Sequence, residues 1–165
     1  MTRLWHVSDD PAIERFVPRD EFVWAVAEPH VSKYWFPRDC PRGTWWAGPA
    51  TTTADVDRLL DGNRELEVHA VQADWLSAMR EARLVAYRLP PETFEPLDDP
   101  PFYFVSRRPV EPVERRELGD LLQLHAEAGI ELRIVPDLAA VWARVTASTV
   151  EFSGNRLRNL AVDTP

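Results

Sequence analysis

Short apolar runs recur along the chain, each cut off by proline, glycine or acidic residues. Leu4 to Val7 predicts a strand ended by Asp9, Asp10 and Pro11. Phe22 to Val26 is a second apolar run of strand length. A short helix is expected over Pro29 to Trp35, with Pro29 suited to a first turn. Phe36 to Arg42 is bracketed by Pro37 and Pro41 and cannot be regular, and Thr44 to Ala47 follows as a strand. Thr52 and Asp55 form a capping-box-like start for a helix that closes near Gly62.

Glu67 to Val71 reads as a strand, and Trp75, Met79 and Ala82 fall at helical spacing. Leu84 to Leu89 is a strand that runs into the proline-rich stretch Leu89 to Pro101. Phe102 to Val105 and Val110 to Arg116 follow as strands. Leu118, Leu121, Leu122 and His125 mark an amphipathic helix closed by Gly129. Ile130 to Val135 is a strand, and Asp137 is an N-cap candidate. Leu138, Val141, Trp142, Val145, Thr149 and Phe152 fit one helical face that ends at Gly154. Strands and short helices alternate too irregularly for a doubly wound fold. The expected class is α+β, with a mixed, mostly antiparallel sheet and short flanking helices.

Composition narrows this picture. The length of 165 residues fits a single domain spanning 1–165, and no linker is visible. Fifteen prolines exclude a long helical bundle in the N-terminal half, where five of the seven tryptophans lie (Trp5, Trp24, Trp35, Trp45, Trp46). The net charge of −8 argues against bulk attraction to nucleic acid or anionic membrane, while leaving a local basic patch possible. Every basic residue but Lys33 is arginine, in keeping with a bias that runs through the whole chain. The opening MTRLWHVSDDP is charged where a signal peptide is apolar, and no apolar stretch is long enough to cross a bilayer. A cytoplasmic protein is expected. Cys40 is the only cysteine, which excludes an internal disulfide and a multi-cysteine zinc site.

The four histidines show no metal spacing, so no metal is expected. His69 and His125 read as structural residues and His30 as a surface one. His6 ends a strand beside turn-forming residues, a setting in which sites tend to form. Cys40 lies between Arg38 and Arg42, which can lower a thiol pKa; with His6 as base it is a candidate nucleophile for a hydrolase. Glu92, Glu95, Asp98 and Asp99 form an acidic, proline-framed loop that suits either a catalytic acid or plain solvation. Arg156 and Arg158 can hold an anion or cap a helix end. Phosphate loops, dinucleotide fingerprints and nucleophile elbows are missing from the sequence.

Taken in order, several of these stretches resemble the ADP-ribosyltransferase-like fold, and most nearly its rifampin ADP-ribosyltransferase branch. LWHVS (Leu4 to Ser8) resembles that family's first-strand aromatic-His-x-Thr/Ser motif. VWAV (Val23 to Val26) resembles its second motif, with Trp24 where a tyrosine is usual. LVAYRLPPETFEPLDDP (Leu84 to Pro100) and FYFVSRRPVEPV (Phe102 to Val113) resemble its later acidic turn and Ser/Thr-Arg-x-Pro strand. The likeness covers roughly residues 3 to 116. Phe36 to Trp46 and the last fifty residues have no counterpart in it. The whole chain is also similar to an uncharacterised bacterial family of unknown function.

The resemblance implies an NAD-dependent transferase that passes ADP-ribose to an unknown acceptor. It implies that His6 and Ser8 bind the nicotinamide ribose and that Trp24 stacks on nicotinamide. The acid would be Asp98 or Asp99, with Glu95 as the alternative. Arg3, Arg38 and Arg42 are candidates for the pyrophosphate, whose oxygens suit guanidinium groups. A non-catalytic nucleotide- or peptide-binding module on the same fold, and the Cys40–His6 hydrolase, are the competing expectations.

Overall fold

A computed structural model describes residues 2–160. The architecture is α+β, with mostly antiparallel sheet and short helices, as expected. The contacts divide into two compact units. Among the described residues the first comprises 2–38 and 82–119, the second 39–81 and 120–160. Each unit is built from two separate stretches of chain, so no single linker marks the division in the sequence.

The first unit is a six-stranded antiparallel sheet. Its strands are β1 (Leu4–Ser8), β2 (Val23–Ala27), β5 (Val85–Leu89), β6 (Glu95–Pro96), β7 (Tyr103–Ser106) and β8 (Glu114–Glu117), in the order β6-β7-β2-β1-β5-β8. Alternation sorts the side chains between the two faces. Leu4, Val23, Ala25, Val85, Tyr87 and Leu89 share one face and bury a core with Phe16 and Val110, which reach over it from the flanking loops. The Tyr87 hydroxyl donates to the Asp10 carbonyl (2.7 Å) and accepts from the Ile13 amide (3.2 Å), so β5 ties down the loop after β1. On the other face a 3-10 helix, Glu28–Tyr34, covers Trp5, whose indole Nε1 donates to Glu28 (3.3 Å). The expected helix over Pro29 to Trp35 is present in this tighter form.

The second unit is a four-stranded sheet, β10-β3-β4-β9, made from β3 (Arg42–Trp46), β4 (Glu67–Gln72), β9 (Glu131–Val135) and β10 (Glu151–Asn155). Only the β4–β9 pair is parallel. Helices α1 (Thr53–Leu59) and α4 (Leu138–Thr146) pack on one face around Trp45, Val68 and Ala70, all wholly buried. Thr52 caps α1 by accepting from the Asp55 amide, and Asp137 caps α4 by accepting from the Ala140 amide. Helix α2 (Leu76–Glu81) continues a short 3-10 turn, and α3 (Leu121–Glu127) is capped by Asp120. Gly129 takes positive φ just past the end of α3, where a side chain would be strained.

One expectation fails here. The helical face drawn from Leu138 to Phe152 stops at Thr146, and Phe152 and Gly154 belong to strand β10. Two contacts end the helix. The Ser148 hydroxyl donates back to the Val145 carbonyl (2.6 Å), and the Thr149 amide and hydroxyl both donate to the Asp55 carboxylate (2.8 and 2.6 Å). These hydrogen bonds hold the Asp55 carboxyl down at about 2, with the Thr149 hydroxyl the largest influence. Gly154 is not a helix stop. It pairs with Gly43 of β3, and the Trp142 ring lies over both glycines. A Cβ on either would come within 2.6 to 2.7 Å of that ring.

Candidate functional site

The middle of the first sheet is not evenly laddered. β1 stays paired with β5 from Leu4 through Ser8, and β2 stays paired with β7 from Val23 through Val26. Between β1 and β2 only two pairs form, Leu4 with Ala27 and Trp5 with Val26. Beyond Trp5 the β1–β2 ladder ends. His6 stands just past its last pair, and its Nδ1 lies 2.8 Å from the Trp24 carbonyl oxygen, so its side chain bridges to β2.

A carbonyl can only accept, so Nδ1 carries the proton of that bond. Burial pushes the His6 pKa down, the Trp24 carbonyl opposes this, and Arg19 adds to the lowering. His6 is therefore neutral at neutral pH, and its Nε2 keeps a lone pair to accept with. The ring is half-buried and packs on Phe16 at 4.8 Å between centroids. It thus presents one fixed tautomer.

Trp24 flanks the same ladder end from β2 but faces the other way. In β1, His6 alternates with Trp5; in β2, Trp24 lies on the face of Val26, the partner of Trp5. The His6 and Trp24 side chains therefore leave the sheet on opposite faces. Ring contacts agree. His6 packs on Phe16, whereas Trp24 stands edge-to-face with Phe22 (6.0 Å) and Tyr103 (6.2 Å). Trp24 is 45% exposed, so this aromatic group is a surface that a flat ring can stack on. The Tyr103 hydroxyl in turn accepts from Tyr34 at 2.5 Å.

The acids fall on the Trp24 side or beyond the sheet. Glu95 of β6 pairs with Val105, which pairs with Trp24, so Glu95 and Trp24 share a face two strands apart, roughly 10 Å. Asp98 and Asp99 are exposed on the turn between β6 and β7. The other expected ligands divide between the two units. Ser8 accepts from the Asp10 amide (3.1 Å) within its own turn, and its hydroxyl proton is still available to donate. Arg38 pairs with Asp9 (3.3 Å) and Arg3 with Glu28 (3.4 Å), both in the first unit. Arg42 belongs to the second unit, where it is buried and donates to the Cys40 carbonyl (3.2 Å). Its guanidinium serves the Cys40 loop. Arg156, also in the second unit, pairs with Asp39 (3.5 Å).

The profile of one protein family, described as a family of unknown function (DUF6886), matches residues 5–160. The chain belongs to that family. No curated protein and no solved structure matches it. The matched span covers both units, so the second sheet is as much part of the family as the first.

Cys40 does not have the surroundings of a nucleophile. It is wholly buried, and burial pushes its thiol up to about 12 against the lowering effect of Arg42. A thiol in that state is neutral at neutral pH and a poor nucleophile. The expectation that flanking arginines activate it is corrected by desolvation. Among the described residues no group of three or more His, Cys, Asp or Glu is arranged to hold a metal ion, and no helix is long and apolar enough to cross a membrane. Sequence reasoning missed the early end of the β1–β2 ladder. A cue was present in the half-polar run His6-Val7-Ser8, which follows the wholly buried Leu4-Trp5 pair.

Proposed function

We propose that the surface beside His6 at the end of the β1–β2 ladder binds NAD, and that the chain is an ADP-ribosyltransferase-like enzyme with an unknown acceptor. The observation that carries this reading is the early end of the β1–β2 ladder beside a neutral His6 whose Nε2 can accept from a sugar hydroxyl. The resemblance of LWHVS and VWAV to the family's ribose and nicotinamide motifs supports the same assignment. The chemistry needs the C1′–N glycosidic bond of NAD to break. Its electron pair leaves with nicotinamide, and an acceptor lone pair then forms the new bond to C1′ while the acceptor's proton passes to base. The passing oxocarbenium character calls for a carboxylate. Glu95 lies on the Trp24 face at a position fixed by the strand register, while Asp98 and Asp99 lie on the exposed turn after it.

A second reading is favoured by the opposed faces of His6 and Trp24. On that reading the chain is a non-catalytic module that grips an aromatic ligand on Trp24, Phe22 and Tyr103. NAD titration and NAD consumption, measured on the wild type, His6→Ala and Trp24→Ala, separate the two. The enzyme reading expects NAD to be consumed by the wild type, with loss in folded His6→Ala. Binding without consumption, insensitive to His6→Ala and lost in Trp24→Ala, selects the module. A folded wild type that does not bind NAD at millimolar concentration sinks the NAD assignment altogether.

A further inference from the structure

Two histidines far apart in sequence meet inside the second unit. His69 of β4 and His125 of α3 are 0% and 1% exposed, and their rings stand edge-to-face at 5.0 Å. His125 Nδ1 lies 2.7 Å from the Leu121 carbonyl oxygen. His125 Nε2 lies 3.0 Å from His69 Nδ1. His69 Nε2 lies 2.7 Å from the Glu67 carboxylate, whose side chain is 26% exposed and so reaches toward solvent.

The protons of these three contacts can be counted. The Leu121 carbonyl only accepts, so His125 Nδ1 donates, and a neutral His125 is left with an accepting Nε2. His69 Nδ1 must then donate to it. An ionised Glu67 also only accepts, so His69 Nε2 must donate as well. Three hydrogen bonds take three protons. Two neutral imidazoles and one carboxylate bring only two.

We infer that Glu67, His69 and His125 form a proton-locked tie between β4 and α3, holding one shared proton whose release breaks one of the three hydrogen bonds. The proton is a property of the trio, shared between His69 and Glu67, with His125 neutral. Burial lowers the His125 pKa, the largest influence on it, against the raising effects of the Leu121 carbonyl and Glu67. The other ionisable groups on the surrounding elements are Arg42 of β3, Glu131 and Arg133 of β9, Asp74, Arg80 and Glu81 in and before α2, and Glu127 of α3. Arg42 donates to the Cys40 carbonyl, Glu131 and Arg133 pair with each other, and Glu127 accepts from Gln123.

The sign of the pH effect follows from the count. An unfolded histidine releases its proton near the ordinary value of about 6.5, and the inferred tie is one in which the folded trio holds its proton beyond that value. Folding then binds a proton, and stability falls as pH rises through the trio's own pKa. Glu67→Gln is the diagnostic variant. A glutamine amide can donate to the Nε2 of a neutral His69, so all three bonds close with no shared proton.

The test is ring-nitrogen NMR of the histidines, with melting temperature and amide exchange, from about pH 5 to about pH 9, a range that brackets the ordinary histidine pKa. His69 is expected to read as protonated on both nitrogens at low pH and to lose one proton as pH rises, while His125 stays in its Nδ1–H form. The wild type is expected to lose melting temperature on the alkaline side, with faster exchange in residues 121–127, and Glu67→Gln to lose neither. A neutral His69 throughout, or an alkaline loss in Glu67→Gln equal to the wild type's, overturns the inference. Should the variant not fold, the wild-type ring spectra alone decide it.

Discussion

His6 and His69 begin from the same local setting: each lies in a strand with a neighbour on either side. β4 is laddered to β3 from Glu67 to Val71 and to β9 from Val68 to Gln72, and His69 spends both ring nitrogens inside the protein. β1 keeps its full ladder with β5 but only two pairs with β2, and His6 spends one nitrogen and keeps the other. A complete ladder makes a strand histidine part of the core. Where the ladder ends early, one ring nitrogen keeps its lone pair, and that difference makes the first unit the place where the proposed chemistry is tested.

The largest test of this contrast is a pair of tryptophans. Trp45 is wholly buried in the second unit and donates to the Leu59 carbonyl (3.1 Å). Trp45→Ala is expected to cost about 3–5 kcal/mol, from the lost burial, the cavity and the unmet carbonyl. Trp24→Ala, which removes the same ring from a half-exposed position, is expected to cost roughly 1 kcal/mol or less. Denaturant unfolding of both variants measures the difference. Equal costs would mean that Trp24 is core and not a ligand surface.

These tests also bear on how much the amino-acid order discloses. The strands β1 to β5, β7 and β9 are legible because their apolar runs are bounded by proline, glycine or acidic residues. The caps at Thr52 and Asp137 are legible because capping is decided within a few residues. What hides is set by partners distant in sequence. β10 reads as helix because Phe152 keeps helical spacing from Val145, and only the pairing with β3 makes it a strand. The early end of the β1–β2 ladder and the meeting of His69 with His125 likewise depend on residues brought together by the fold. The acidic stretch Glu92 to Asp99 shows its composition in the sequence, but only the β6–β7–β2 register reveals that Glu95 shares the Trp24 face.

An intermediate effect is expected at the glycine floor beneath Trp142. Gly154→Ala places a methyl against that ring and against Leu157, which lies 2.7 Å from the added Cβ position. Overpacking of this kind costs about 1–3 kcal/mol. The loss should appear in unfolding of the second unit, with His6-dependent ligand binding in the first unit unchanged. A loss of that binding in the folded variant would show that the two units act together in the site.

The smallest effect separates the units by acid. His6 and His125 both have pKa values lowered by burial, so each stays neutral in the folded chain at pH values where the unfolded chain takes up a proton. Their contribution to stability is present above the ordinary histidine value of about 6.5 and is lost progressively as pH falls below it. His6→Asn keeps an N–H near the Nδ1 position for the Trp24 carbonyl and does not titrate. Melting curves against pH should therefore show a shallower loss just below about 6.5 in His6→Asn than in the wild type, the remainder there coming from His125, with the carboxylates Asp55 and Glu114 adding theirs at lower pH. An unchanged acid slope would mean that His6 is protonated as readily in the folded chain as in the unfolded one. It would then lose the lone pair on Nε2 that a sugar hydroxyl needs already as pH falls through about 6.5.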